Sequence, residues 1–183
     1  MKVAVTGSNG FVGKHLCLKL SLLGYEVVQI DRSKWDYLTK HLEDIEIIFH
    51  CAGVNRPDQE KDYIINELMA NQLLSSIDKS TKKIIYTNSS HSLLNSAYGN
   101  SKKRAADIFE NFCTINEIEF KNYLFPNIYG VNSKPYYNTV VATFIDQITN
   151  EEDVKIIQDK VIDLISIEDV IETMIYDNEF ENN

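Results

Sequence analysis

The sequence predicts an α/β chain built on a doubly wound parallel sheet, in the strand order 3-2-1-4-5-6, with a small C-terminal part. Three observations predict it. Lys2-Val3-Ala4-Val5 is apolar and β-branched, as a strand buried on both faces must be. It runs into the glycine-spaced turn Thr6-Gly7-Ser8-Asn9-Gly10-Phe11-Val12-Gly13, and Phe11 to Leu23 then carries apolar residues at helical spacing. Beyond that, short β-branched runs alternate with helical patterns down the chain.

The turn sets the chemistry. Gly7 permits the tight exit from the strand, Gly10 lets a pyrophosphate approach the backbone, and Gly13 lets the helix lie close to the sheet. Asn9, Phe11 and Val12 belong to the same turn, and the helix that opens there presents N–H groups and a partial positive charge to an anion. A strand, this glycine pattern and a helix in succession are the context of a Rossmann dinucleotide-binding fold. Gly24 is a natural stop for the first helix.

Length and composition bound the rest. The 183 residues read as one domain, with residues 127–183 turned to the ligand side. Hydrophobic residues make up 44% and charged residues 25%, a globular balance. A net charge of -9 argues against nucleic acid and anionic membrane surfaces as partners. Cys17, Cys51 and Cys113 are odd in number and scattered, which argues against a disulfide framework or a metal site and for a reducing cytoplasm. The chain starts on a strand and holds no apolar run of spanning length, so neither a signal peptide nor a membrane helix is expected.

The elements follow in order. Tyr25 to Ile30 is a second strand ending in Asp31-Arg32. An acidic residue about twenty positions past the glycine turn binds the adenosine ribose in this fold. Asp31 accepts from both ribose hydroxyls and points to NAD(H); Arg32 pairs with a 2′-phosphate and points to NADP(H). Lys34 to Leu42 reads as a short helix, and Ile45 to His50 as a third strand running into Cys51-Ala52-Gly53-Val54-Asn55-Arg56-Pro57. Cys51, Ala52 and Gly53 are small residues at a strand's carboxyl end, where a cofactor crosses a sheet edge. Pro57 holds Arg56 extended, so that Asn55 and Arg56 suit a diphosphate or a sugar hydroxyl. Asp58 to Ser80 carries a helical stripe, Lys82 to Thr87 a fourth strand, and Asn88-Ser89-Ser90-His91 a polar end to it.

Tyr98 and Lys102 are four residues apart at the start of a helix expected to reach Asn116, so they share one face. A lysine ammonium beside a tyrosine favours the phenolate, which would let Tyr98 exchange a proton with an alcohol or carbonyl oxygen. Ser89, at the preceding strand end, can hydrogen-bond that same oxygen. Ile118 to Phe125 is a fifth strand, ending at Pro126 and Asn127. A loop with Pro135, Tyr136, Tyr137 and Asn138 suits a nucleotide sugar or a packed Ω-like segment. Thr139 to Ile148 is helical, Val154–Ile157 and Val161–Ile165 are short strands about the turn Gln158-Asp159-Lys160, and Ser166 caps a last helix with Asp169 as its partner.

These residues resemble the extended short-chain dehydrogenase/reductases, or NAD-dependent epimerase/dehydratases, over nearly the whole chain. Gly7, Gly10 and Gly13 match that family's Thr-Gly-x-x-Gly-x-x-Gly, Tyr98 and Lys102 its Tyr-x-x-x-Lys, and Ser89 its catalytic serine. Asn66 falls where the family's active-site helix carries an asparagine, and Ile167-Glu168-Asp169-Val170 is similar to its late Tyr-Val-Asp-Asp. His50 to Pro57, Pro126 to Gly130 and Lys134 to Phe144 are similar to one branch, the capsular-polysaccharide reductases that make UDP-N-acetyl-L-fucosamine. Leu124 stands where that branch leads one to expect an arginine. Nothing corresponds to its C-terminal cupin domain or to the reductase domain's last helices, so the substrate-binding part is expected to be incomplete.

The resemblance implies NAD(P)H-dependent reduction of the 4-keto group of a UDP-2-acetamido-2,6-dideoxyhexose. Ser89, Tyr98 and Lys102 would be catalytic. Gly7, Asn9, Gly10, Phe11, Val12 and Gly13 of the turn, with Asp31, Arg32, Cys51, Ala52, Gly53, Asn66, Tyr98, Lys102 and Pro126, would bind the cofactor, which in that branch is NADP(H). Asn55, Arg56, Ser89, Ser90, His91, Asn127 and Asn138 would bind the UDP-sugar, and no metal is implied. A homodimer through the helices near 58–80 and 98–116 is expected. A UDP-sugar 4-epimerase or 4,6-dehydratase shares the same constellation, and a non-catalytic dinucleotide-binding module is the reading of another class.

Overall fold

The computed structural model describes the chain apart from Asn138, Lys155, Ile157, Gln158, Lys160 and residues 178–183. It divides into two compact units, Met1–Leu124 and Phe125–Asn183.

The first unit is the α/β body. Its strands are β1 (Lys2–Thr6), β2 (Glu26–Ile30), β3 (Ile47–His50), β4 (Lys83–Ser89) and β5 (Glu119–Phe125). Its helices are α1 (Phe11–Leu22), α2 (Leu38–His41), α3 (Ile65–Leu74) and α4 (Ala97–Ile115). The pairings of β1 with β2, β1 with β3, and β3 with β4 are all parallel, for example Thr6 with Ile30 and His50, and His50 with Tyr86. Because strand side chains alternate, Ala4, Ile48, Ile84 and Tyr86 bury one face under α3 and α4, packed with Leu73, Leu74, Ala105 and Phe109. Helix α1 buries Leu16, Cys17 and Leu20 and packs on β1 and β2. The doubly wound parallel body expected from the sequence is therefore present.

The strand order is β2-β1-β3-β4-β5, which matches the expected 3-2-1-4-5-6 only in part. The difference arises after β2. Asp31 accepts from Ser33 N–H at 3.0 Å and starts a 3-10 turn over Arg32–Tyr37 instead of a crossover to an outer strand. Trp35 then donates from Nε1 to Gln72 Oε1 at 2.7 Å, which draws this segment towards α3, and Leu38 and Leu42 enter the core. The chain re-enters the sheet as β3 on the far side of β1.

Three other boundaries differ. The helix expected over Asp58–Ser80 is a 3-10 turn, Glu60–Ile64, followed by the shorter α3. Ser75 and Ser76 end it by donating their hydroxyls to Gln72 O, the competition with backbone that these side chains offer. Strand β4 runs two residues further than expected, to Ser89. Lys34 to Leu42 is divided between the end of the 3-10 turn, to Tyr37, and the four residues of α2.

The second unit holds β6 (Asn127–Tyr129), β7 (Leu164–Ser166), α5 (Val140–Thr149) and α6 (Ile167–Tyr176). β6 pairs with β7 in parallel: Asn127, expected at the end of the fifth strand, opens a separate one, and the strand expected over Val161–Ile165 is the shorter Leu164–Ser166. The strand and turn expected over Val154–Lys160 fall largely on residues outside those described. Ser166 caps α6 as expected, its Oγ accepting from Asp169 N–H at 3.0 Å. No helix among the described residues is long and apolar enough to cross a membrane.

Candidate active site

Parallel strands put their carboxyl ends on one edge, so the glycine turn after β1, Asp31 after β2, the loop after β3 and Ser89 at the end of β4 share that edge. The glycine turn is held from behind. Gly7 has φ +66°, and a Cβ there would lie 2.7 Å from the Ala52 nitrogen, so only glycine lets the turn rest on the Cys51–Ala52 backbone. A Cβ at Gly13 would drive into the Gly7 carbonyl, which is why the helix can start so close to the turn. Thr6 couples the same two segments: its Oγ1 lies 2.9 Å from His50 Nδ1 and accepts from Ala52 N–H at 3.3 Å.

Helix α1 has no side-chain cap and no acidic residue in its first turn. Its opening N–H groups, at Phe11, Val12 and Gly13, therefore present an uncompensated positive end. Asn9 reaches across and donates from Nδ2 to Asp31 Oδ2 at 2.9 Å, while Ser33 donates from N and Oγ to Oδ1 at 3.0 and 2.6 Å. These donors hold the Asp31 carboxyl below its ordinary range and keep it ionised beside the turn. The cradle thus fits a dinucleotide, with N–H groups for a pyrophosphate and an exposed carboxylate next to it for ribose hydroxyls. Arg32 is exposed at the start of the 3-10 turn.

The loop after β3 is pinned to α3 and α4. Asn66 Oδ1 accepts from Val54 N–H at 2.7 Å, and its Nδ2 donates to Val54 O and to Ser101 Oγ, both at 3.0 Å. Ser101 in turn donates to Tyr98 O at 2.8 Å. Asn66 is thus brought beside the candidate residues, but its amide is engaged by the protein. Cys51 Sγ meets Thr87 Oγ1 at 3.2 Å, and burial pushes this thiol up to about 12, so it is inert at neutral pH. The Asn55 carbonyl accepts from the Tyr63 hydroxyl at 3.2 Å.

Tyr98 is the second residue of α4, whose start is capped by Ser96 Oγ accepting from Gly99 N–H at 3.0 Å. Gly99 was not singled out from the sequence, yet it sets the site. A Cβ there would collide with the His91 and Leu94 carbonyls, so glycine allows the helix start to close on the segment after β4. This sets Tyr98 against the polar end of β4, where Ser89 is near enough to act on its hydroxyl. Ser89 Oγ also accepts from His91 N–H at 3.2 Å, and the His91 and Tyr98 ring centroids are 6.1 Å apart. Ser90 and His91 open the 3-10 turn after β4.

Lys102 is buried, with 5% of its surface exposed. Its Nζ donates to Thr87 O at 2.9 Å and sits 4.1 Å from the centroid of the Tyr86 ring. Burial lowers its pKa to about 7. The sequence predicts that Lys102 depresses Tyr98, but the Tyr98 hydroxyl is raised: burial dominates, and the neighbouring Ser89 opposes it only in part. His50 is neutral, lowered to about 3 by burial and by Lys102, and packs between Tyr86 and Phe109.

Pro126 and Asn127 lie in the second unit, where Asn127 donates from N and Nδ2 to Asp163 O at 3.2 and 3.3 Å. Asn138 is outside the described residues.

The model of a family described as NAD dependent epimerase/dehydratase matches residues 3–179. A reductase of Pseudomonas aeruginosa, UDP-2-acetamido-2,6-beta-L-arabino-hexul-4-ose reductase, is 37% identical over 182 residues, covering 94% of this chain and 48% of the relative. The crystal structure of the capsular polysaccharide assembling protein CapF of Staphylococcus aureus superposes with a TM-score of 0.82 at 25% identity, over 100% of this chain and 51% of that one. UDP-glucose 4-epimerase of Thermotoga maritima shares the fold, with a TM-score of 0.87 at 22% identity over 98% of this chain and 74% of that one. The chain therefore spans about half the length of the Pseudomonas and Staphylococcus proteins.

Proposed function

Since this chain belongs to the NAD dependent epimerase/dehydratase family, we propose that it reduces the 4-keto group of a UDP-2-acetamido-2,6-dideoxyhexose with NAD(P)H. The setting would be cytoplasmic synthesis of nucleotide sugars for a capsule or other surface polysaccharide. The observation that carries this reading is the placing of Tyr98, at the start of α4, beside Ser89 on the sheet edge that also bears the glycine turn. The 37% identity to the Pseudomonas reductase supports the choice of substrate.

The nicotinamide group supplies a hydride when bound. The glycine turn and the first N–H groups of α1 would hold the pyrophosphate, and Asp31 or Arg32 the adenosine ribose. Tyr98 keeps its proton at neutral pH because burial raises it, which suits a donor to the developing alkoxide. Ser89 donates a hydrogen bond to the same oxygen and polarises the ketone. Lys102, one turn along α4, would hold the nicotinamide ribose and, when charged, favour the phenolate that Tyr98 leaves behind. Asn55, Arg56, Ser90 and His91 are candidate sugar and diphosphate contacts, and Pro126, Asn127 and Asn138 rest on the resemblance alone. A homodimer belongs to the same proposal, supported by the exposed apolar side chains of Ile64, Ile65 and Leu68 within the 58–80 segment.

The test is Tyr98→Phe. Turnover of the UDP-4-keto sugar should be lost while NADH and NADPH still bind by calorimetric titration; retained turnover would overturn the assignment. Wild type that binds cofactor but no UDP-sugar would instead be a dinucleotide-binding module.

A further inference from the structure

Tyr63 stands in the 3-10 turn before α3 and belongs to none of the motifs that mark the site. Two of its contacts reach those motifs. Its hydroxyl donates to the carbonyl of Asn55, fixing the loop that carries Arg56. Its ring lies against that of Tyr98, with centroids 5.7 Å apart and planes tilted by 48°. The two tyrosines wall an open cleft of about 350 Å3, completed by Pro57, Glu60, Ser96 and Ala97.

The lining has a definite chemistry. Two tyrosine rings and a proline offer flat apolar faces, which suit the C–H face of a pyranose. Glu60 and Ser96 add hydrogen-bonding groups that sugar hydroxyl or amide N–H groups can meet. We propose that Tyr63 is a positioning residue for Tyr98, and that the cleft between them takes the hexulose ring of the substrate. This rests on the reductase reading above.

The physical argument is one of fixed geometry. Tyr98 is attached to α4 through its backbone, but its ring has two free torsions, and proton transfer requires the hydroxyl to stay beside Ser89. A ring packed on the far side removes alternative rotamers. The same ring also covers Tyr98, and burial is the main cause of its raised hydroxyl. The groups facing Tyr98 are Ser89 from β4, His91 from the turn after it, and Tyr63 and Glu60 across the cleft, while Lys102, one turn along α4, is directed to Thr87 O and the Tyr86 ring. Only Tyr63 is changed in the test.

Tyr63 is half-buried, so its variants should fold. Tyr63→Phe and Tyr63→Leu are made in the full chain, with tyrosine carbon-13 labelled at Cζ and Tyr98→Phe used to assign the Tyr98 resonance. In Tyr63→Leu the Tyr98 hydroxyl should titrate lower than in wild type. Its kcat should fall about tenfold, with cofactor affinity unchanged. Tyr63→Phe keeps the ring and should hold kcat within about twofold, while KM for the sugar rises several-fold as the Asn55 carbonyl is released. A Tyr98 titration that is the same in Tyr63→Leu and wild type overturns the proposal, as does an unchanged kcat in that variant. Wild type without turnover would instead fail the reductase reading, and the titration would still decide whether Tyr63 governs Tyr98.

Discussion

Asn66 Nδ2 and Ser101 Oγ are 3.0 Å apart, and through this bond the loop after β3 and the first turn of α4 are held as one piece. Asn66 grips Val54 by both its N–H and its carbonyl, and Ser101 grips the Tyr98 carbonyl. Both side chains are buried. Movement of the cofactor-side loop therefore cannot be separated from movement of Tyr98.

Asn66→Asp keeps the acceptor for Val54 N–H but removes both donors, leaving Val54 O and Ser101 Oγ without their partner. A buried acceptor left unmade costs about 1–3 kcal/mol. The expected result is a lower midpoint in urea with an unchanged slope, together with weaker NADH and NADPH binding. Unchanged stability would show that the amide is not what pins the loop.

Much of this site is legible in the sequence, and what escapes is instructive. The glycine turn and the Tyr98–Lys102 spacing can be read because each is local, fixed by one turn or one helical repeat. Ser89 can be read because a strand end before a helix has a known place. Gly99, Tyr63 and Ser101 escape because their reasons are non-local: the carbonyls of His91 and Leu94, the carbonyl of Asn55, and the amide of Asn66. The strand order differs for a similar reason. The Asp31–Ser33 cap and the Trp35–Gln72 bond turn the chain over the sheet, and neither shows in a hydrophobic pattern. Gly99 did carry a signal, since glycine in a first helical turn lowers helix propensity and so calls for a packing reason.

Gly13→Ala and Gly24→Ala separate two uses of glycine. At Gly13 the new methyl meets the backbone of Gly7 and Ser8, which has no flexible end to move. We expect a loss of about 2–4 kcal/mol and no cofactor binding. At Gly24 nothing lies within 4 Å and only φ +86° is strained, so the loss should be about 1 kcal/mol with binding intact. Chemical denaturation and cofactor titration of the pair check this; equal losses would contradict it.

Asp31 is ionised beside the turn through Asn9 and Ser33. A 2′-phosphate placed there meets a like charge, with Arg32 as its one neighbouring cation in sequence. Asp31→Ser removes the repulsion and should shift the ratio of NADPH to NADH affinity towards NADPH by about tenfold. The ratio of the two dissociation constants in wild type and variant measures it, and a ratio that stays put would remove Asp31 from ribose recognition.

Lys102 provides the sharpest stability test: His50 and Cys51 feel its charge, but of the three it alone has a folded pKa near 7. Its folded pKa is about 7 against 10.5 for the free side chain. Between those values the unfolded chain binds more protons than the folded one, so stability rises with pH across that window. Below pH 7 both states are charged and the full cost of burying the ammonium is present. His50, lowered to about 3, is neutral in both states above pH 7. The thiols are raised from 9.0, so the unfolded chain starts to lose their protons near pH 8 and their contribution then opposes that of Lys102. From pH 7 to about 8 the slope of the unfolding free energy should therefore come mainly from Lys102, at up to about 1.4 kcal/mol per pH unit. Lys102→Met should flatten that slope, raise stability by about 1–3 kcal/mol at pH 6.5, and lose turnover. A variant that keeps the wild-type slope would mean that the buried ammonium is not what titrates, and the electrostatic role given to Lys102 beside Tyr98 would fall with it.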